Sequence, residues 1–338
     1  MSEPVTVAVI GTGRIGRLHA EHLAFRLPDA RLVAVADPRL DAAQACAAAC
    51  RLSRAVSDYR ELLEDLSIEA VVICSATDTH ARIIEEAAAA GKHIFCEKPI
   101  SHDLAAIDRA LAAVEAAGVI FQVGFNRRFD PSFQRARELV ASGEIGTPHL
   151  LRITSRDPAP PPIEYIKVSG GIFLDMTIHD FDMARYLMDE EVIEVYAMGG
   201  VLIDPAIGEV GDVDTALVAL RFASGALGTI DNSRRAVYGY DQRVEVFGSA
   251  GMVAVSNHTP HRAVVSKADG VHGPKPLYFF VERYAESYLA EMRAFLESVR
   301  TGSAPPVTGK DGRVPVVMGL AARKSLVEGR PVRLAEIG

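Results

Sequence analysis

The sequence contains no tryptophan, only four cysteines and no long hydrophobic run. A membrane helix needs roughly 18–20 consecutive apolar residues, so no membrane span is expected. The first residues, Met-Ser-Glu-Pro-Val, have neither the basic nor the apolar region of a signal peptide. The net charge of −8 is opposite to the basic footprint of nucleic-acid-binding proteins. We therefore expect no membrane or nucleic-acid partner, and the charge weakly disfavours an anionic substrate.

The few cysteines indicate neither a disulfide framework nor a zinc site with cysteine ligands. Cys46 and Cys50 fall on a helical pattern, Cys74 and Cys96 fall on apolar strands, and none has a histidine at zinc-ligand spacing. We expect buried thiols in a reducing cytoplasm and no bound metal.

The overall amino-acid composition is typical of a globular enzyme. Hydrophobic residues make up 49% of the chain and charged residues 24%. A length of 338 residues exceeds what one core usually serves, so two domains are predicted, at residues 1–123 and 124–338.

The first domain alternates short apolar runs with helical patterns. Predicted strands are 5–10, 31–36, 70–74, 93–97 and 120–124, and the helices between them end at turn signals such as Gly91 and Gly118. Strands separated by helices require crossover connections. The pattern predicts a doubly wound parallel sheet with helices on both faces, the Rossmann arrangement.

A glycine motif, Gly11-Thr12-Gly13-Arg14-Ile15-Gly16, lies between the first strand and the first helix, and Asp37 follows Gly16 by 21 residues. In this context the motif indicates a dinucleotide site, with the pyrophosphate at the helix N-terminus and Asp37 on the adenosine ribose. The carboxylate would repel a 2′-phosphate, which favours NAD over NADP, although Arg14 and Arg39 weaken that preference. The alternative is that Asp37 is only a turn residue before Pro38.

The second domain has a different pattern. A helix over 131–141 and a strand over 149–156 precede a Pro-rich connection, 157–169, and a helix from about 171 to 187. Five strands with short Gly-containing turns then predict a large, mostly antiparallel open sheet, followed by two helices. This is an α+β domain whose helices suffice for one sheet face, so we expect two subunits to pack face to face on the other.

Within the predicted helix at 171–187, Asp175 and His179 lie four residues apart, on one face. A carboxylate beside an imidazole makes a base and stabilises its protonated form. The alternative is a helix cap with a surface ion pair.

These motifs together resemble the Gfo/Idh/MocA oxidoreductases over nearly the whole chain. The resemblance is carried by Gly11–Gly16, by Glu97-Lys98-Pro99 and by Gly170-Gly171…Asp175…His179-Asp180. Residues 155–165 and 234–241 are similar to the members that oxidise inositols. One departure is Ser75-Ala76-Thr77, where the family often has Thr-Pro-Asn; His80 is retained, and Ala76 makes this cofactor-side turn less rigid.

The resemblance implies an NAD-dependent oxidation in which His179 is the base, Asp175 orients it and Lys98 stabilises the alkoxide. Glu97 and Pro99 would fix the turn that carries Lys98, and Glu97 can reach the nicotinamide ribose. Ser75, Thr77 and His80 would lie on the cofactor side, His80 touching the cofactor or the turn below it.

Further roles are implied for polar side chains that could bind a polyol: Asn126, Arg128, Asp157 and Tyr238. Each also has a structural explanation, such as a surface arginine or a core tyrosine. Asp180 and Asp182 are interpreted as helix-cap or surface charges, and His19 and His22 as structural. No metal is needed, because a nicotinamide accepts the hydride itself.

The implied reaction is oxidation of myo-inositol at C2 to the 2-keto inositol, in inositol catabolism, by a cytoplasmic homotetramer. Another inositol isomer (scyllo-inositol) or a pyranose sugar is the alternative substrate. A non-catalytic NAD-binding regulator on the same fold is the alternative of another class. It would be expected to lack Lys98 or His179, and both are present.

Overall fold

The structure, a computed structural model, describes residues 3–338, which form two compact units. The first unit comprises residues 3–126 together with Tyr288–Val314, and the second comprises Arg127–Ser287 together with Pro315–Gly338. Segment 288–314, predicted to lie in the second domain, therefore packs with the first unit. The cause is hydrophobic packing. Four buried side chains of the segment belong to the core of the first unit: Leu289, Met292, Phe295 and Leu296.

The first unit has the predicted alternation of strands and helices. Its strands are β1 (Val5–Ile10), β2 (Ala30–Ala36), β3 (Ala55–Val56), β4 (Ala70–Ile73), β5 (His93–Glu97) and β6 (Phe121–Gly124). Its first five helices are α1 (Arg14–Phe25), α2 (Leu40–Ala49), α3 (Arg60–Leu63), α4 (Thr77–Ala89) and α5 (Leu104–Ala117). The strands form one parallel sheet in the order β3-β2-β1-β4-β5-β6, which confirms the doubly wound fold.

Local signals explain why these elements form where they do. Every residue of β1 and β4 is buried, as expected for strands covered on both faces. At α5, the Asp103 carboxylate accepts a hydrogen bond from the Ala105 amide at 3.0 Å, which caps the helix start. The helix ends at Gly118, whose φ of 63° is the left-handed conformation that glycine adopts without strain.

The second unit contains a mixed sheet and surrounding helices. From Pro131 to Gly200 the elements are α6 (Pro131–Ala141), β7 (Pro148–Arg156), α7 (Ile163–Ser169), α8 (Gly171–Asp175), α9 (Thr177–Met188) and β8 (Val192–Gly200). They are followed by α10 (Pro205–Glu209), β9 (Thr215–Phe222), β10 (Leu227–Ser233), β11 (Asp241–Gly248), β12 (Gly251–Val255), β13 (Val265–Lys267), β14 (Gly270–His272) and α11 (Phe280–Arg283). The remaining elements are α12 (Ala285–Thr301), α13 (Gly309–Glu328) and β15 (Val332–Arg333), and both helices continue from one unit into the other.

The large sheet has the order β12-β11-β7-β10-β9-β8-β15 and is antiparallel except for the β7–β10 pair. Along its strands, buried and exposed residues alternate, so one face is covered and the other is open. The open face carries apolar side chains about half exposed, which are Met198, Leu217, Leu227, Phe247 and Met252.

Two expectations for this unit were wrong. Segment 157–169 is not a continuous connection, because residues 163–169 form α7. The predicted single helix from 171 to 187 is two helices, α8 and α9, with Met176 between them. Hydrogen-bonding contacts of Thr177 stabilise the chain at this break. Its hydroxyl lies 3.2 Å from the carbonyl oxygen of Ile172 and 2.6 Å from Oδ1 of Asn232.

Among residues 3–338, no helix combines the length and apolar character that crossing a membrane requires.

Candidate active site

The candidate residues of the first unit lie at one edge of its sheet. Ile10 pairs with Ala36 and Ile73, and Ile73 pairs with Cys96, so β1, β2, β4 and β5 end side by side. The segments that follow these strands hold Gly11–Gly16, Asp37, Ser75–His80 and Glu97-Lys98-Pro99, and Asn126 follows β6. Ligands of open parallel sheets bind at this carboxyl edge.

The glycines at this edge differ in what a side chain would meet. A Cβ on Gly11, whose φ is 92°, would lie 2.5–2.6 Å from backbone atoms of Cys74 and Ser75. A Cβ on Gly16 would lie 1.9 Å from the Gly11 carbonyl oxygen. A Cβ on Gly13 would meet nothing within 4 Å. Gly11 and Gly16 therefore permit close backbone packing, and Gly13 borders open space.

That space lies at the N-terminus of α1. Gly13 is the N-cap residue and supplies no side-chain cap, and Arg14 and Ile15 begin the helix. The positive end of the helix dipole therefore faces a space that a phosphate group can enter. These features fit a dinucleotide pyrophosphate.

Asp37 follows β2 and is bonded to the glycine loop. Its Oδ2 accepts hydrogen bonds from the Thr12 amide at 2.9 Å and from the Thr12 hydroxyl at 3.0 Å, and its Oδ1 accepts one from the Arg39 amide at 3.0 Å. Burial acts to raise the pKa of Asp37, but these hydrogen bonds outweigh it and hold the pKa below its ordinary value. The carboxylate is therefore charged at neutral pH.

His80 connects two turns of the same edge. Its buried ring lies with Nδ1 2.8 Å from the Pro99 carbonyl oxygen and Nε2 3.0 Å from the Ser75 carbonyl oxygen. Burial lowers the pKa of His80, although both carbonyls oppose that shift. The hydroxyl of Ser75 lies 2.7 Å from that of Thr79, and Thr77 begins α4. The His80 ring therefore joins the turn at Ser75 to the turn at Pro99.

Glu97 ends β5, and the half-buried Lys98 follows it. The Glu97 Oε1 atom is 2.7 Å from Nε2 of His19, which is fully buried on α1. Asn126 is also buried, and its Nδ2 has no hydrogen-bond partner among the residues that the structure describes. An amide donor of this kind suits a ligand hydroxyl.

In the second unit, Asp175 and His179 lie on different helices, Asp175 at the end of α8 and His179 in the first turn of α9. Both are half-buried. The Asp175 carboxylate accepts hydrogen bonds from the Tyr165 hydroxyl at 2.8 Å and from Nη1 of Arg234 at 3.3 Å. The buried Arg234 also lies 3.5 Å from Asp212. Tyr165 and Arg234 therefore hold in place the Asp175 carboxylate, which was predicted to orient His179.

Asp157 follows β7 in the same unit. Burial, and then the negative charge of Asp175, raise the pKa of Asp157 to about 7, although Arg234 and Arg127 oppose this. Near neutral pH this carboxyl group can therefore either donate or accept a hydrogen bond.

Two other proposed substrate contacts are engaged by neighbouring residues. The Tyr238 hydroxyl donates to Asp241 at 2.6 Å and accepts from Arg156 at 3.2 Å. The Arg128 guanidinium binds Asp182 through Nε at 2.9–3.0 Å and Nη2 at 2.6 Å. Both residues therefore have structural partners within the unit.

The interpretation of Asp180 and Asp182 as surface or cap charges was wrong, because both are buried. Asp180 pairs with Arg127 at 2.6 Å and accepts from Nδ2 of Asn232 at 2.8 Å. The cause is the burial of α9, in which ten of twelve residues are buried, so its acidic residues need partners.

Sequence reasoning missed Tyr165 and Arg234 as candidate residues. Both lie within the segments that resemble inositol-oxidising proteins, 155–165 and 234–241, and that was the available signal. Nothing in the sequence of either segment indicates that Tyr165 and Arg234 both form hydrogen bonds to Asp175.

Comparisons with known proteins show similarity to oxidoreductases over nearly the whole chain. A family model for an oxidoreductase family with an NAD-binding Rossmann fold matches residues 5–125, and a GFO/IDH/MocA C-terminal domain model matches residues 133–254. The chain is 54% identical over 331 residues to "Myo-inositol 2-dehydrogenase" of Thermotoga maritima, covering 98% of this chain and 99% of that protein.

Two further proteins are similar over their full lengths. "Inositol 2-dehydrogenase" of Rhizobium meliloti is 47% identical, covering 98% of this chain and 99% of that protein. The structure of scyllo-inositol dehydrogenase from Lactobacillus casei, with bound NAD(H) and scyllo-inositol, has a TM-score of 0.93 and 29% identity, covering 98% of this chain and 100% of that one. Together with the family models, these similarities show that the chain belongs to the GFO/IDH/MocA oxidoreductase family.

Proposed function

We propose that this chain oxidises myo-inositol at C2 to 2-keto-myo-inositol, with NAD as the hydride acceptor. The observation that carries the proposal is the 54% identity, over 98% of the chain, to a myo-inositol 2-dehydrogenase. The glycine loop, the charged Asp37 and the polar groups of both units support it. NAD, when bound, supplies the electrophilic ring that takes a hydride from the alcohol carbon.

The first unit is proposed to hold the cofactor. The open space at Gly13 and the α1 dipole suit the pyrophosphate, and Asp37 suits the adenosine ribose hydroxyls. Its carboxylate charge disfavours a 2′-phosphate, so NAD is preferred over NADP. Ser75, Thr77, His80 and Glu97 are assigned to the same side, with His80 acting through the Ser75 turn that it supports.

Lys98 is proposed to stabilise the negative charge that develops on the substrate oxygen. An ammonium group at the carboxyl edge of the sheet provides this stabilisation without reorganisation, and it is strongest where water is excluded. His179 is proposed to accept the hydroxyl proton, because a neutral imidazole is an effective base near neutral pH. Asp175, held by Tyr165 and Arg234, is proposed to orient the base and stabilise its protonated form.

A polyol has many hydroxyls and no charge, so its binding depends on hydrogen bonds. Asn126, Arg128, Asp157 and Tyr238 are proposed to provide them. Asn126 and Asp157 have the stronger support, because an amide without a partner and a carboxyl group with a pKa of about 7 can each serve a hydroxyl. Arg128 and Tyr238 can also act by holding Asp182 and Asp241 in place.

A second candidate substrate is scyllo-inositol, because a structure of similar fold contains scyllo-inositol with NAD(H). The test is the initial rate of NADH formation by the purified protein with NAD and a panel of inositol isomers and aldoses. We expect the highest kcat/KM with myo-inositol. The absence of turnover with myo-inositol would exclude our first choice, and the absence of NADH with every substrate would favour a non-catalytic NAD-binding regulator.

We propose a cytoplasmic homotetramer formed through the open face of the large sheet. The four cysteines are free thiols, which suits a reducing compartment. The face combines apolar residues with charged pairs such as Arg156–Asp231, a composition that suits a subunit interface. The paired strands place Met198 opposite Leu217 and Phe247 opposite Met252.

The proposed roles of Lys98 and His179 predict a similar loss of kcat in the two alanine variants but a different dependence of rate on pH. Lys98→Ala should lower kcat by about 100-fold or more and leave NAD affinity nearly unchanged, because the ammonium acts on the developing charge. His179→Ala should lower kcat similarly and abolish the rise of rate with pH. Steady-state kinetics across a pH series, with NAD affinity by fluorescence, measures both effects.

Controls for these variants come from the same chain. The exposed Lys267→Ala and His272→Ala variants should behave as the wild type. Asp157→Asn tests whether the Asp157 carboxyl group, whose pKa is about 7, causes the rise of rate with pH. The rise should persist in this variant if His179 is the base. Persistence of the rise in His179→Ala would contradict the assignment.

Asp37→Ala should narrow the NAD-over-NADP ratio of kcat/KM by more than about tenfold, because like-charge repulsion of the 2′-phosphate is removed. Thr12→Val is the matched control: it removes one hydrogen bond to Asp37 and keeps the charge. An unchanged ratio in Asp37→Ala would place ribose recognition elsewhere.

Leu217→Glu should dissociate the assembly, because a charge on the open sheet face opposes burial of that face. Sedimentation velocity should give a tetramer for the wild type and for the control Leu66→Glu, whose leucine is exposed in the first unit. A monomeric wild type would refute the proposed assembly.

A further inference from the structure

A cluster of three side chains lies beside the Lys98 turn, and two of them, His19 and Glu291, have no role in the function proposed above. It consists of His19 on α1, Glu97 at the end of β5 and Glu291 on α12, all in the first unit. One nitrogen or oxygen atom of each lies within 4.8 Å of the others. Nε2 of His19 is 2.7 Å from Oε1 of Glu97 and 3.9 Å from Oε1 of Glu291. His19 and Glu291 have no exposed surface.

Glu291 is the unusual member of the cluster. Neither of its carboxyl oxygens has a hydrogen-bond partner among the described residues. A buried carboxylate without hydrogen bonds is strongly disfavoured, whereas the uncharged acid is tolerated. Burial, and then the charge of Glu97, raise the pKa of Glu291 well above its ordinary value.

The surroundings of the cluster are weakly polar. The rings of Phe95 and Tyr288 pack edge-on against His19, with centroids 5.2 and 5.8 Å away. The titratable groups that face the cluster are His22 of α1, Cys74 directly after β4, Cys96 of β5 and Tyr288 of α12. Burial raises the pKa of both thiols well above the ordinary value, so they stay uncharged.

The cluster holds the Glu97 side chain from several directions. His19 lies against Oε1, and Oε2 would be 3.0 Å from a Cβ on Gly124, so a side chain at this position of β6 would crowd the Glu97 carboxylate. The backbone at Glu291 is also fixed, because its carbonyl oxygen accepts a hydrogen bond from Nε2 of the buried Gln122 at 2.9 Å. Glu97 immediately precedes Lys98 in the chain, so a displacement of Glu97 also moves the turn that carries Lys98.

We propose that Glu291 is a positioning residue: as an uncharged carboxylic acid, it closes the His19–Glu97 cluster and thereby fixes the turn that carries Lys98. This role rests on the proposed function of Lys98. Segment 288–314 then contributes a side chain to the cofactor unit as well as apolar packing. A displacement of about 1 Å at a reacting group can cost 100-fold in rate, so a residue without substrate contact can control kcat.

The protonation of Glu291 is measured without reference to activity. Infrared difference spectra of wild type against Glu291→Gln at pH 8 should show the loss of a carbonyl band of a protonated carboxylic acid. Glu297→Gln, an exposed position on the same helix, is the matched control and should show only carboxylate bands. A carboxylate difference for Glu291 would overturn the proposal.

The positioning role is tested by two variants of similar volume. Glu291→Gln keeps a neutral polar group and should retain kcat within a few-fold with an unchanged pH profile. Glu291→Met removes it and should lower kcat by about 10- to 100-fold with little change in KM for NAD. Equal loss in both variants would mean that a negative charge is required, and no loss in Glu291→Met would mean that nothing is positioned. Either result overturns the proposal.

The same three side chains could hold a divalent cation, which is the competing interpretation. Calorimetric titration of Mn²⁺ or Zn²⁺ into the chain and into Glu291→Gln should give identical curves. Binding lost only in the variant would overturn the proposal. If instead the wild type forms no NADH with any inositol, the proposed function fails, while the infrared result still decides the state of Glu291.

Discussion

The parallel register of β1, β2, β4 and β5 is the constraint on which the cofactor unit depends. Because Ile10 pairs with both Ala36 and Ile73, and Ile73 pairs with Cys96, four segments far apart in sequence emerge at one edge. The glycine loop can then pack against the turn after β4, where the contacts of Gly11 and Gly16 leave no room for side chains. This close packing sets the start of α1 and therefore the direction of its dipole.

In the second unit, the corresponding constraint is compensation of buried charge. Asp180 and Asp182 lie inside the unit and are matched by Arg127 and Arg128. Burying such pairs costs desolvation, so their gain is a defined arrangement more than stability. His179 directly precedes Asp180, and the pairing therefore fixes the first turn of α9 and the height of the imidazole along it.

Sequence predicted those parts of the molecule whose signals are local. Apolar runs gave the strands of the first unit, and the glycine motif with Asp37 gave the dinucleotide edge, because sterics and strand order act within short segments. The break at Met176 and the burial of Asp180 could not be predicted from local sequence. The partner of Thr177 at the break is Asn232 and the partner of Asp180 is Arg127, and each lies more than fifty residues away along the chain. The same holds for Arg234, which joins Asp175 only through the fold.

Segment 288–314 shows why packing and chemistry have to be argued together. The apolar spacing of Leu289, Met292, Phe295 and Leu296 explains why α12 packs on the first unit, but it does not explain an acidic residue on the buried side. A buried carboxyl group can often be replaced by an apolar group of similar volume with neutral or stabilising effect. Stability therefore gives no reason for Glu291, whereas its place beside His19 and Glu97, next to the Lys98 turn, does.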